Sequence, residues 1–160
     1  MNIFKIADNE SGLTQQEIAH ALRQSLEDRH PRRVLILPPD FTRYHSNAGF
    51  ITNTYYHILQ NMGAEVDIMP ALGTHEPMTE EQALAMFGDV PYEKLIPHNW
   101  RTDVLKVGEV PSSYLEDVTE GLWHEPISVE INRRVMDEQY DLIISPGQVV
   151  PHEVIGMSNH

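Results

Sequence analysis

Val34-Leu35-Ile36-Leu37 and Leu142-Ile143-Ile144 are short, unbroken apolar runs, each followed by a proline-containing segment. A strand with one wet face alternates polar and apolar residues. A run that is apolar throughout belongs to a strand covered on both faces. That requirement selects a mostly parallel sheet with helices packed over it, because parallel strands need long, usually helical crossovers.

The rest of the chain supplies the helices. Thr14-Gln15-Gln16-Glu17 is a capping box that opens a helix through about residue 28, with Ile18, Ala21, Leu22 and Leu26 on one face and Pro31 beyond its end. A second helix is expected from about Ala48 to Met62, stopped by Gly63, and a strand from Ala64 to Met69 follows. Thr79-Glu80-Glu81-Gln82 is another capping box, for a helix to about Phe87. Asn2 to Ile6 reads as a short first strand. In the middle, Leu95 to His98, Val104 to Val107 and Ile127 to Ile131 are candidate strands, and Tyr114 to Thr119 is a loop or short helix. No internal repeat or linker is evident. The expected fold is α/β, a doubly wound and mostly parallel Rossmann-like sheet in one domain over residues 1–160. Doubly wound folds normally continue past the last strand and no helix follows here, so the chain is expected to be the front portion of a larger protein.

Composition removes several classes of function. With 11 basic and 24 acidic side chains the net charge is −13, which repels phosphate backbones and argues against nucleic acid or an anionic membrane as partner. The chain has no cysteine, so disulfides, thiolate catalysis and cysteine-ligated metals are excluded within it. The first residues are too short and soon too polar for a signal peptide. No apolar stretch approaches the roughly 18 residues of a membrane span. A cytoplasmic protein is expected.

In an open parallel sheet, loops leaving the carboxyl ends of strands converge on one crevice, where ligands bind. Three such loops carry chemistry here. Asp40-Phe41-Thr42-Arg43 supplies an acid and a guanidinium, whose planar fork suits a carboxylate or phosphate. Asp40 could fix that guanidinium or orient a histidine, and a plain surface salt bridge is the bland alternative. Thr42 could donate to an anion or cap the following turn. His75 follows Gly73, and His152 follows Pro151 and precedes Gly156. Histidine titrates near neutrality and so suits acid–base work; either one could equally be an ordinary loop residue. His98 is a weaker candidate. The glycine fingerprints of dinucleotide and triphosphate sites are absent, as are G-x-S-x-G and H-E-x-x-H. Two histidines and an arginine around a crevice suit acid–base chemistry on a small carboxylate. Alternatives are a zinc-dependent hydrolase using His75, His98 and His152, or a non-catalytic binding module that keeps the anion crevice without a reaction.

Pro39-Asp40-Phe41-Thr42-Arg43, then Ala71-Leu72-Gly73-Thr74-His75-Glu76-Pro77-Met78-Thr79, then Gly147-Gln148-Val149-Val150-Pro151-His152-Glu153-Val154-Ile155-Gly156 resemble the nickel-dependent lactate racemase family. The blocks occur in the family's order, and the likeness runs from about Val34 to the C-terminus. The resemblance implies the N-terminal catalytic domain of a two-domain isomerase that racemises or epimerises 2-hydroxy acids. It implies a nickel-pincer nucleotide, a pyridinium mononucleotide whose nickel is held by carbon and sulfur. His75 and His152 match the two acid–base histidines, Arg43 the residue that holds the substrate carboxylate, and Asp40 its neighbouring acid. Thr74, Gly156 and Ser158 match cofactor-contacting positions, and no metal ligand falls within the chain. The partners implied are a small 2-hydroxy acid and a C-terminal domain of the same enzyme. Gly156-Met157-Ser158-Asn159-His160 stands where the family commonly has G-F-S-G-G followed by a cofactor-attaching lysine, and no lysine lies beyond Lys106. Residues 1–160 are therefore expected to stop before that segment, and this stretch alone to be inactive and cofactor-free.

Overall fold

Both capping boxes form. In this computed structural model, which describes residues 2–152 and 156–159, the Thr14 hydroxyl accepts from the Glu17 N–H at 3.2 Å. The Glu17 carboxylate accepts from the Thr14 N–H at 2.8 Å in return. Helix α1 then runs Gln15–Ser25. It stops short of Pro31, because Asp28 takes a left-handed backbone with φ of 65°. Strand β1 is Arg33–Ile36, helix α2 Ala48–Asn61 and strand β2 Glu65–Ile68. Thr79 and Gln82 repeat the capping box at the start of helix α3, Glu80–Phe87.

The chain divides into two compact units, residues 1–97 with 138–160, and residues 98–137. The second unit holds β3 (Val104–Val110), α4 (Ser112–Val118) and β4 (Ile127–Asn132). β3 and β4 pair antiparallel, with an irregularity between Lys106 and Gly108. In the first unit follow β5 (Leu142–Ile144), β6 (Val149–His152) and β7 (Gly156–Asn159), the last two an antiparallel pair. Among the described residues no helix is long and apolar enough to cross a membrane.

The first unit is built on a parallel three-stranded sheet in the order β2-β1-β5. β1 is its centre, and Val34, Leu35 and Ile36 are fully buried, as an unbroken apolar run requires. Val34 and Ile36 join Val66 and Ile68 of β2, Leu59 and Tyr55 of α2 and Phe87 of α3 in one core. Each such buried side chain contributes about 1.5–3 kcal/mol. α2 and α3 approach closely at Gly49, where a Cβ would lie 2.1 Å from the Met86 carbonyl oxygen; only glycine fits there. The chain leaves β1 toward one side, through α2 to β2, and later returns to the other side as β5. That reversal puts a topological switch point at β1, the usual place for a ligand crevice.

Three expectations need correction. Asn2 to Ile6 is not a strand: Phe4 and Ile6 are 86% and 73% exposed, and among the described residues no strand pairs with them. Leu95 to His98 reduces to one parallel bridge from Leu95 to Ile68, since the preceding residues, Tyr92–Lys94, wind into a 3₁₀ turn. β5 is apolar but not covered on both faces, because it lies at the sheet edge and Ile143 is 37% exposed.

Candidate active site

The pairing of β1 with β2 continues past the strands and brings two chemistry-bearing loops together. Beyond Ile36 and Ile68, the Met69 N–H donates to the Ile36 carbonyl at 2.9 Å and the Ala71 N–H to the Pro38 carbonyl at 2.7 Å. Pro39 and Ala71 form a parallel bridge. Proline costs this ladder nothing, since only the carbonyl of Pro38 is used. Asp40 therefore emerges beside Leu72. The second loop then turns at Gly73, whose φ of 57° favours glycine, and the His75 N–H donates to the Leu72 carbonyl at 2.9 Å. Buried Leu72 and Met78 anchor the loop from below, and the Tyr92 hydroxyl donates to the Met78 carbonyl at 2.9 Å.

This register places Asp40 Oδ2 2.6 Å from His75 Nδ1. The other carboxylate oxygen, Oδ1, accepts from the Thr42 N–H at 3.1 Å and the Thr42 hydroxyl at 2.5 Å, capping the 3₁₀ turn Phe41–Ser46. Asp40 is buried while the His75 side chain is largely open. Burial pushes the Asp40 carboxyl up, but the Thr42 hydroxyl, the His75 ring and the Thr42 amide together hold it below its ordinary value. An ionised Asp40 can only accept, so it selects the His75 tautomer with the proton on Nδ1 and leaves Nε2 able to take up or give a proton.

Pro39, Asp40, Thr42, Arg43, Thr74 and His75 line one open cavity at the carboxyl ends of β1 and β2. Of the two roles the sequence allows Asp40, the structure shows the histidine contact. Among the described residues the Arg43 guanidinium has neither an ion pair nor a hydrogen bond, so the bland salt bridge does not form and a cation is left at the cavity wall. His152 ends β6, half-buried, and Gly156 and Ser158 lie in β7; none of the described residues of this hairpin lines that cavity. Glu153 to Ile155 and His160, within or beyond the third sequence block, lie outside the described residues. Among those described, no three His, Cys, Asp or Glu side chains are grouped to hold a metal. His98, offered for a zinc site, instead uses Nδ1 to accept from the Asn132 side-chain amide at 2.9 Å. Sequence reasoning missed the Thr42–Asp40 contact; the D-x-T spacing of a short polar cap was its only signal. Nothing in the pattern pointed to Tyr92.

The lowered Asp40 titration has a consequence for stability. A carboxyl more acidic in the folded than the unfolded chain stabilises the fold above its ordinary value, 3.8, and loses that contribution as pH falls through the folded value. Asp40→Asn should therefore flatten the acid limb of stability against pH. Urea midpoints taken from about pH 6 down to about pH 3 check this; an unchanged acid limb would show that the carboxylate contributes nothing as an ion.

The sequence matches the family described as lactate racemase N-terminal domain over residues 7–159. Among solved structures it is similar to a protein from Thermotoga maritima, with 26% identity and a TM-score of 0.84 over 97% of this chain and 37% of that one. It shares its fold with the lactate racemase apoprotein from Thermoanaerobacterium thermosaccharolyticum, with 21% identity and a TM-score of 0.60 over 88% of this chain and 34% of that one. The chain thus spans little more than a third of the length of these structures. No curated protein matches it.

Proposed function

This chain belongs to the lactate racemase N-terminal domain family, and from that premise we propose that it is the N-terminal catalytic part of an isomerase inverting 2-hydroxy acids of the lactate type. The reaction removes a hydride from the hydroxyl-bearing carbon and returns it to the opposite face through a planar 2-keto intermediate. The observation that carries this reading is the Asp40–His75 pair, 2.6 Å apart, in one cavity with Arg43, whose guanidinium has no partner among the described residues. Membership of a racemase family supports the reaction class, and the cavity chemistry supports the substrate class.

In this mechanism Arg43 binds the substrate carboxylate through its two-pronged guanidinium. His75 Nε2 takes the hydroxyl proton of one enantiomer while Asp40 holds Nδ1–H. As that O–H bond breaks its electrons form the carbonyl, and the C–H electron pair leaves with its hydrogen. His152 serves the other enantiomer, whose hydroxyl points to the opposite side once the carboxylate is pinned. Proton return from one histidine and proton removal by the other complete the inversion. The hydroxyl of Thr74 and the open backbone at Gly73, where a Cβ would meet no described residue but its chain neighbours within 4 Å, fit a polar nucleotide at the lip. When bound, a nickel-pincer nucleotide supplies the acceptor and donor for the hydride. A C-terminal domain would supply its remaining contacts.

The test uses the protein with whatever sequence naturally continues it, produced in a cell able to make the nickel cofactor. Each enantiomer of lactate and of longer 2-hydroxy acids, deuterated at the α-carbon, is supplied in ordinary water. Interconversion with the deuterium retained is expected, because a hydride that is stored and returned does not mix with solvent. No interconversion of any 2-hydroxy acid, or loss of the label to water, would refute the proposal.

A further inference from the structure

We propose that Thr42 is a positioning residue: its hydroxyl clamps one oxygen of Asp40 so that the other holds the His75 ring in the Nδ1–H form. This rests on the racemase reading only for its catalytic meaning, since the clamp is a property of the chain itself.

The geometry makes the carboxylate a two-sided connector. Oδ1 accepts both Thr42 donors, the amide at 3.1 Å and the hydroxyl at 2.5 Å, and Oδ2 alone meets His75, at 2.6 Å. The terminal torsion of an aspartate is broad and two-fold rather than confined to sharp rotamer wells. Its orientation must therefore come from partners. The amide donor is fixed by the turn, but one bond on Oδ1 leaves the carboxylate plane free to swing about it. The hydroxyl adds a second, shorter bond to that same oxygen, which narrows the swing while Oδ2 faces His75. Thr42 is exposed, so its hydroxyl can be removed without opening a core cavity. Its neighbour Arg43 stays free to bind an anion, because the acid beside it is already engaged on both oxygens.

A merely structural Thr42 would cap the 3₁₀ turn and nothing more. The two roles separate in ring nitrogen-15 NMR spectra of His75, recorded on the 160-residue chain above the histidine titration range, where the two neutral tautomers give distinct shifts. Three proteins suffice: the natural chain, Thr42→Val, which keeps the branched shape, and Thr42→Ser, which keeps the hydroxyl. The natural chain and Thr42→Ser should be mainly Nδ1–H. In Thr42→Val the ratio of Nδ1–H to Nε2–H forms should fall by about fivefold, the effect of losing one hydrogen bond, and the Asp40 carboxyl should titrate higher. A Thr42→Val ring identical to the natural one would overturn the proposal. So would a Thr42→Ser ring that behaves like Thr42→Val. An unfolded Thr42→Val chain would also count against it, since it would make the hydroxyl a structural requirement. The readout involves no substrate or cofactor. A tautomer shift in a protein that fails to racemise anything would sink the function and keep the clamp, whereas racemisation with an unmoved tautomer would do the reverse.

Discussion

Replacing His75 by asparagine is expected to lower the rate of enantiomer interconversion by about 10²–10⁴-fold, the usual weight of a positioned general base. Asparagine can still donate from its side-chain amide to Asp40, so the loop keeps its anchor while the titrating nitrogen is lost. The pattern of the loss is more diagnostic than its size. Two enantiomers have equal free energy in water, so kcat/KM in the two directions must fall together. The first half of the reaction is not so constrained. Conversion of one enantiomer to bound 2-keto acid should collapse, while the other enantiomer, assigned to His152 in the proposed mechanism, should still lose its hydride in a single turnover. Rapid-quench measurement of keto acid from each enantiomer checks this. Equal loss for both would mean that His75 does not serve one hand of the substrate, and an undiminished rate would remove it from the chemistry. Near-UV circular dichroism should match the natural protein, because His75 is largely open to solvent.

That a histidine and an aspartate 35 positions apart belong to one site was legible in the sequence, but only through topology. The apolar run at Val34 to Leu37 required a covered parallel strand, and parallel strands send their carboxyl-end loops to the same side. The capping boxes at Thr14 and Thr79 were equally legible, since hydroxyl and carboxylate or amide must sit three residues apart to satisfy the first turn. What failed was the assignment of strands by local apolarity. Asn2 to Ile6 carries three large apolar residues, yet a strand exists only where a neighbour offers hydrogen bonds, and none among the described residues does. Leu95 touches β2 through a single bridge for the same reason. Within the site, the pattern D-x-T-R held three residues whose partners it could not assign. Asp40 had two candidate contacts, and the choice between His75 and Arg43 depended on how far the β1–β2 pairing continues past Ile36 and Ile68. No local spacing encodes that continuation. It follows from the carbonyls of Ile36 and Pro38 remaining in register with Met69 and Ala71.

Arg43 carries the second large effect. Its guanidinium has no partner among the described residues, so substitution should leave stability within about 0.5 kcal/mol. The whole loss should then fall on substrate. A charge-assisted hydrogen bond contributes about 1.5–3 kcal/mol, so Arg43→Ala should lower kcat/KM by about 10- to 150-fold for any 2-hydroxy carboxylate. Arg43→Lys should recover only part of this, because an ammonium restores charge but not the planar fork that fixes the carboxylate's orientation. The protein's own field sharpens the contrast. A chain of net charge −13 repels an approaching carboxylate, and a local cation offsets that repulsion where the ligand must dock. Salt screens both the local attraction and the wider repulsion, so Arg43→Ala, left with the repulsion alone, should gain affinity with rising salt relative to the natural protein. Steady-state kinetics at two ionic strengths, with urea melts of both variants, measure all of this. An Arg43→Ala protein with unchanged kcat/KM would move the carboxylate anchor elsewhere. One that unfolds would show that the free guanidinium holds the loop rather than the ligand.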